Sequence, residues 1–149
     1  LAASSDDIGV QGAFGVEGYG VIGEGRAAML VGMLARIAFF AGGLAVTVLC
    51  LLPVGALPPV QLWDKLEHMI AYAALAATGC LGFTGSRSRI IIVVSLLALG
   101  IAIELAQSLV PGRDTSAADL LANGLGIIAG IGLARLFAAI VFRPRPSPV

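Results

Sequence analysis

Ile90-Ile91-Ile92-Val93-Val94-Ser95-Leu96-Leu97-Ala98-Leu99-Gly100-Ile101-Ala102-Ile103-Glu104-Leu105-Ala106-Gln107-Ser108-Leu109-Val110 is an apolar run interrupted by one ionisable side chain, Glu104. At 1.5 Å per residue, a helix of this length reaches about 30 Å, the thickness of a bilayer's hydrocarbon core. Backbone N–H and C=O groups find no water partner in lipid, so the run is expected to be helical; a barrel would need short alternating strands instead. Three other stretches share its character, at about Ile37–Leu52, Leu62–Phe83 and Ala117–Phe142. Pro53 stops the first, and Gly55, Pro58 and Pro59 keep the following segment out of a helix. Thr84–Arg89 and Pro111–Ser116 are rich in turn formers. These features predict an all-α integral membrane bundle of about four transmembrane helices.

Composition supports the same reading. Of the 149 residues, 58% are hydrophobic and 12% charged, and the mean hydropathy of +1.00 leaves too few polar groups to cover a soluble domain of this size. Nine basic residues balance nine acidic ones, so no cationic field points to nucleic acid, and none is expected as a partner. Cys50 and Cys80 fit no metal or redox spacing. They are expected at opposite ends of their helices, too far apart for a disulfide, as small apolar fillers.

The first 28 residues are different: glycine-rich, with Asp6, Asp7, Glu17 and Glu24 and no sustained apolar period. They are expected to form a disordered tail, since they bury too little surface to offset the entropy of ordering. Met29 and Met33 offer natural starts, which makes an over-extended reading frame one explanation of the tail. Residues 29–142 then form the transmembrane domain, and 143–149, with Arg143 and Arg145 among prolines, a short cytoplasmic tail. With four crossings, Arg26, Arg36, Arg87, Arg89, Arg135, Arg143 and Arg145 collect on one side, and Lys65 and Arg113 on the other. The positive-inside rule therefore predicts cytoplasmic termini and outward-facing loops after the first and third helices. Arg36 is expected at the first helix's entrance, its head group snorkelling to the interface. A cleaved signal peptide ending near Val54-Gly55-Ala56 is a competing reading, although the apolar run is long for one.

Most of the polar side chains within the apolar segments lie toward the outer end. Asp64, His68 and Tyr72 follow at i, i+4 and i+8, on one face of the second helix. Glu104 and Gln107 stand at i and i+3, with the carboxylate roughly 9 Å below the end of the third helix. Asp119 and Asn123 stand at i and i+4 in the fourth, followed by Gly126 and Gly130, a small-xxx-small pair that admits a close neighbour. Each has a structural reading: Asp64 favoured by a helix N-terminus, Ser116 capping the fourth helix with Asp119 as a loose capping box, Trp63 an interfacial anchor, Tyr72 a buried phenol. Glu104 and His68 are harder to explain that way, because ionisable groups at membrane depth usually pair inside the bundle or do chemistry. A polar network that only holds the bundle together is the bland alternative. His68, Glu104 and Asp119 are expected to converge in one outward-opening pocket bordered by Tyr72 and Arg113.

The ordered set Asp64-Lys65-xx-His68-xxx-Tyr72, Glu104-xx-Gln107 and Pro111-Gly112-Arg113-xx-Ser116-xx-Asp119-xxx-Asn123-xx-Gly126 resembles the VanZ-like family over about Leu62 to Gly132. The resemblance implies a small multi-spanning protein of the bacterial cell membrane, in a family named after a teicoplanin-resistance factor. The glycine-rich tail departs from the family pattern.

Outward-side carboxylates exceed cations, with Asp64, Glu67, Glu104, Asp114 and Asp119 against Lys65 and Arg113. Protonation of Glu104, a charged His68 or a bound cation would each relieve the excess. One histidine without an H-x-x-x-H motif or a cysteine pair has no metal-site spacing, so no metal and no cofactor are expected. Three functional classes fit. The first is a membrane factor that binds or shields an envelope component, such as a lipid-linked cell-wall precursor or a glycopeptide, with membrane lipid as its surroundings. The second is an enzyme on a lipid-linked envelope substrate, with His68, Glu104 and Asp119 as candidate catalytic groups. The third is a transport or channel component with Glu104 on an ion path. In each, Asp64, Lys65, Tyr72, Gln107, Arg113, Ser116 and Asn123 are the candidate binding residues.

Overall fold

A computed structural model describes residues 17–53, 64–111 and 115–142, with residues 17–24 and Asp64 as backbone alone. Four helices follow in order: α1 (Glu17–Leu51), α2 (Asp64–Gly82), α3 (Ser86–Gln107) and α4 (Ala117–Val141), with no strand among the described residues. Their large apolar side chains face outward, among them Leu44 on α1, Ile101 on α3 and Leu125 on α4, each more than half exposed. Small and polar residues face inward: Gly100 and Glu104 on α3, and Asp119, Asn123, Gly126 and Gly130 on α4. That inversion of a soluble protein's pattern suits a bundle whose solvent is lipid.

The segments Gly25–Leu51, Ser86–Gln107 and Ala117–Val141 are each long and apolar enough to cross a membrane. The expected fourth, α2, falls short in its own composition, because Asp64, Lys65, Glu67 and His68 crowd its first turns. It is instead, with α3, one of the two helices that meet all the others. α2 packs against α1, α3 and α4, whereas α1 and α4 do not meet among the described residues. Its polar side is turned to α3 and α4, away from lipid.

Glycines set how closely the helices approach. A Cβ on Gly126 would run into the Met69 carbonyl, and one on Gly130 into the Ala73 carbonyl, so the small-xxx-small pair is the seam between α4 and α2. The order of these contacts makes α2 and α4 parallel neighbours. On the other flank, a Cβ on Gly82 would come within 3.0 Å of the Arg36 backbone, and one on Gly79 within 3.0 Å of the Phe39 ring. α1 and α2 are thus antiparallel. Tyr72, Leu75, Ala76, Ile92, Leu96 and Ile127 form the apolar core where α2, α3 and α4 meet.

Two boundaries differ from the sequence expectation. α1 starts at Glu17, inside the stretch expected to be disordered and well before Ile37; residues 1–16 lie outside the described residues. A helix nucleated by the apolar run extends backward at one hydrogen bond per residue, which the intervening glycines do not prevent. Arg36 therefore sits within α1 and does not mark its entrance. The residue is exposed, and its Nε donates to the Gly82 carbonyl at 2.7 Å while the guanidinium lies 5.3 Å from the centre of the Phe83 ring. A cation at the C-terminus of α2 also complements that helix's dipole. The α2–α3 connection, residues 83–85, is shorter than expected, and Gly85 at φ 118 takes a backbone angle there that a side chain would hinder.

Candidate functional site

The polar residues near the α2 start, the α3 end and the α4 start come together in the space between these three helices. His68, Glu104 and Asp119 each place a nitrogen or carboxylate oxygen within 4.8 Å of the others. All three are buried, with 8%, 5% and 4% of their surface exposed. The expected convergence is therefore present, with all three side chains buried in the bundle. Small residues allow it: Gly126 and Gly130 let α4 approach the α2 backbone at Met69 and Ala73.

Each member is held by an outer partner. His68 Nδ1 lies 3.2 Å from Asn123 Oδ1. An amide oxygen only accepts, so in this arrangement Nδ1 is the donor. Lys65 Nζ pairs with Asp119 Oδ1 at 3.3 Å, the lysine side chain about one-third exposed and the aspartate almost wholly buried. Glu104 Oε2 accepts the Ser116 backbone N–H at 2.9 Å. Its other oxygen, Oε1, is buried without a hydrogen-bond partner. Tyr72 Oη is likewise buried and unpartnered. It lies 3.2 Å, and Asn123 Nδ2 3.0 Å, from where a Cβ on Gly100 would sit, so the missing side chain at that position makes room for both polar groups.

Ser116 does occupy the N-cap of α4, but its hydroxyl makes no capping hydrogen bond. In a capping box the side chain three residues on, here Asp119, would accept the cap's own N–H. Glu104 of α3 takes that place, and Asp119 turns to Lys65. The expected Ser116–Asp119 box is thus replaced by a cap supplied from another helix. Gln107 also departs from the candidate set: its Nε2 donates to the Cys50 carbonyl at 3.0 Å, tying α3 to α1. Arg113 and the Asp64 side chain lie outside the described residues. Neither Cys50 nor Cys80 forms a disulfide.

Two contributors escaped the sequence reading. One is Gly100, whose value is the space it leaves. The other is the backbone N–H of Ser116. Gly100 had a legible signal, as a glycine one turn before Glu104 on the buried face; the amide had none. Apart from this cluster, an apolar cavity of about 270 Å³ lies between α1 and α3, lined by Phe39, Leu44, Thr47, Leu75, Leu96 and Leu99. It touches none of the cluster's ionisable residues.

Two carboxylates and one lysine leave the cluster with a net negative charge when both acids are ionised. An imidazole, an acid with a bare oxygen and a buried phenol can exchange protons or receive a cationic or hydrogen-bond-donating group. No curated protein and no solved structure matches the chain significantly. The family described as VanZ/LLP1 matches residues 27–138, a span that takes in most of α1, all of α2 and α3 and nearly all of α4, with every member of the cluster. On that match the chain belongs to the VanZ/LLP1 family.

Proposed function

We propose that this VanZ-family membrane protein binds the polar head of a bacterial envelope component, a lipid-linked cell-wall precursor, at the His68–Glu104–Asp119 cluster, and through it alters susceptibility to glycopeptides such as teicoplanin. The observation that carries the reading is the bare Glu104 Oε1, buried beside a histidine and a second acid inside a bundle whose outer surface is apolar. Unsatisfied polar groups at such depth are costly, and a ligand's donor would relieve the cost. In this reading the termini are cytoplasmic and the cluster opens toward the outer face, as the distribution of arginines favours. A photocrosslinking residue at Thr115, exposed next to Ser116, tests it in living bacteria. A precursor adduct that disappears with Glu104→Gln supports the reading. Capture of bulk phospholipid alone, or capture indifferent to Glu104→Gln, refutes it.

One observation favours a second reading, an enzyme on the same class of substrate. His68, held through Nδ1 by Asn123, stands in the cluster with Glu104, and an imidazole is the side chain most often used as a general base. Conversion of lipid-linked substrate by purified protein, lost with His68→Gln, separates this from binding alone.

A further inference from the structure

We propose that His68, Glu104 and Asp119 form a binding site for one divalent first-row metal ion of the zinc or manganese kind. The site is the cluster described above, but the inference does not depend on which envelope component, if any, that cluster receives.

Geometry comes first. Three side chains of ligand type, from three different helices, bring one donor atom each within 4.8 Å of the others. Around a tetrahedral ion with bonds of about 2.1 Å, ligand atoms stand about 3.4 Å apart. Closing the difference takes roughly an ångström of movement, which rotation of the two carboxylates about their terminal bonds can supply. One nitrogen and two carboxylate donors suit zinc or manganese better than calcium or magnesium, which favour oxygen-only sites, or copper(I), which favours sulfur.

The outer partners give an independent reason. In metal sites a ligating histidine commonly donates its other ring N–H to a carbonyl or carboxylate, which fixes the ring and the tautomer. His68 Nδ1 lies 3.2 Å from Asn123 Oδ1, the same arrangement, and with Nδ1 as the donor Nε2 is the nitrogen that a metal would take. Glu104 anchors one oxygen on the Ser116 N–H and keeps the other buried and without a hydrogen-bond partner. Asp119 is held through Oδ1 by Lys65, whose side chain is about one-third exposed and free to turn toward the surface once a cation neutralises the acid. A dication also balances the two carboxylates. Three protein ligands leave at least one coordination position for water or a substrate oxygen, the pattern of a working site and not of a closed structural one.

Sequence spacing does not reveal such a site, because motifs of the H-x-x-x-H kind come from one helix, whereas here each ligand comes from a different one. The test uses the full chain, purified without a polyhistidine tag, stripped with chelator, exchanged into lipid nanodiscs and titrated separately with zinc and manganese salts. Metal content after desalting should reach one ion per chain for at least one of the two metals, and that metal should raise the unfolding temperature. His68→Gln and Glu104→Gln should each lower the affinity at least tenfold, Asn123→Ala by about 10- to 100-fold as an outer-shell change, and Glu67→Gln not at all. Substoichiometric metal in the wild-type chain with both salts overturns the proposal whatever the variants do. So does stoichiometric binding that survives His68→Gln together with Glu104→Gln. Metal binding without precursor capture would leave this inference standing and refute the headgroup reading; capture without metal would do the reverse.

Discussion

Replacing glycine by alanine should have opposite effects at the inner and outer pairs of glycines of α4. At Gly124 and Gly132 an added Cβ meets nothing within 4 Å. Alanine there removes glycine's backbone freedom and stabilises the helix by about 0.5–1 kcal/mol. At Gly126 the same atom would collide with the Met69 carbonyl and stand 3.1 Å from the Ala73 nitrogen; at Gly130 it would collide with the Ala73 carbonyl and stand 2.8 Å from the Ala76 Cβ. These obstacles are mainly backbone, so no side-chain rotation relieves them and the two helices must separate. Overpacking of this kind costs about 1–3 kcal/mol. After the gain in helix propensity, a net loss of about 1–2 kcal/mol is expected at each seam position, with Gly126→Ala and Gly130→Ala less than additive because one displacement accommodates both. Reversible unfolding of the purified chain in mixed micelles, followed by circular dichroism against rising SDS fraction, reads all four variants on one scale. A Gly126→Ala chain as stable as Gly124→Ala would refute the α2–α4 seam and, with it, the proximity of His68 to Asn123.

Glu104→Gln should destabilise the chain by about 1 kcal/mol in the same assay, since the Ser116 N–H exchanges a charged acceptor for a neutral one, whereas Glu67→Gln, at an exposed position, should leave the transition within error. Lys65→Ala strands a buried carboxylate and should cost about 1–3 kcal/mol, less than a fully buried pair because the lysine is partly exposed; adding Asp119→Asn should recover most of it, and a double variant no better than the single would refute the ion pair. With Cys50 and Cys80 first changed to alanine, a cysteine at Thr115 should label with a membrane-impermeant thiol reagent in intact cells and one at Ser86 should not; reversed labelling would invert the orientation.

Periodicity made the helices and their faces legible. His68 and Tyr72 share a buried face as i, i+4 spacing requires, and Gly126 and Gly130 sit at the closest contact as small-xxx-small residues should. Spacing did not reveal which neighbour each face meets. Glu104 and Gln107 are one turn apart and both buried, yet the first reaches the start of α4 and the second the end of α1. A helix stripe about 100° wide is broad enough to face two partners, and only the packing of the whole bundle divides it. Arg36 was misplaced for a related reason: an arginine in an apolar run suggests an interface until the α2 carbonyl that accepts its hydrogen bond is known. The exchange of partners between Ser116, Asp119 and Glu104 could not be read from local motifs, because the local rule supplies a satisfactory pairing of its own.

That exchange has a consequence for the order of assembly. A helix that carries its own cap can close its first turn as soon as it leaves the insertion machinery. α4 borrows an acceptor for its Ser116 N–H from α3, so its leading turn is finished only when the preceding helix is already seated beside it. During synthesis the third segment would act as a template for the fourth, and the hairpin they form, rather than either helix singly, is the smallest piece of this end of the protein that can be complete.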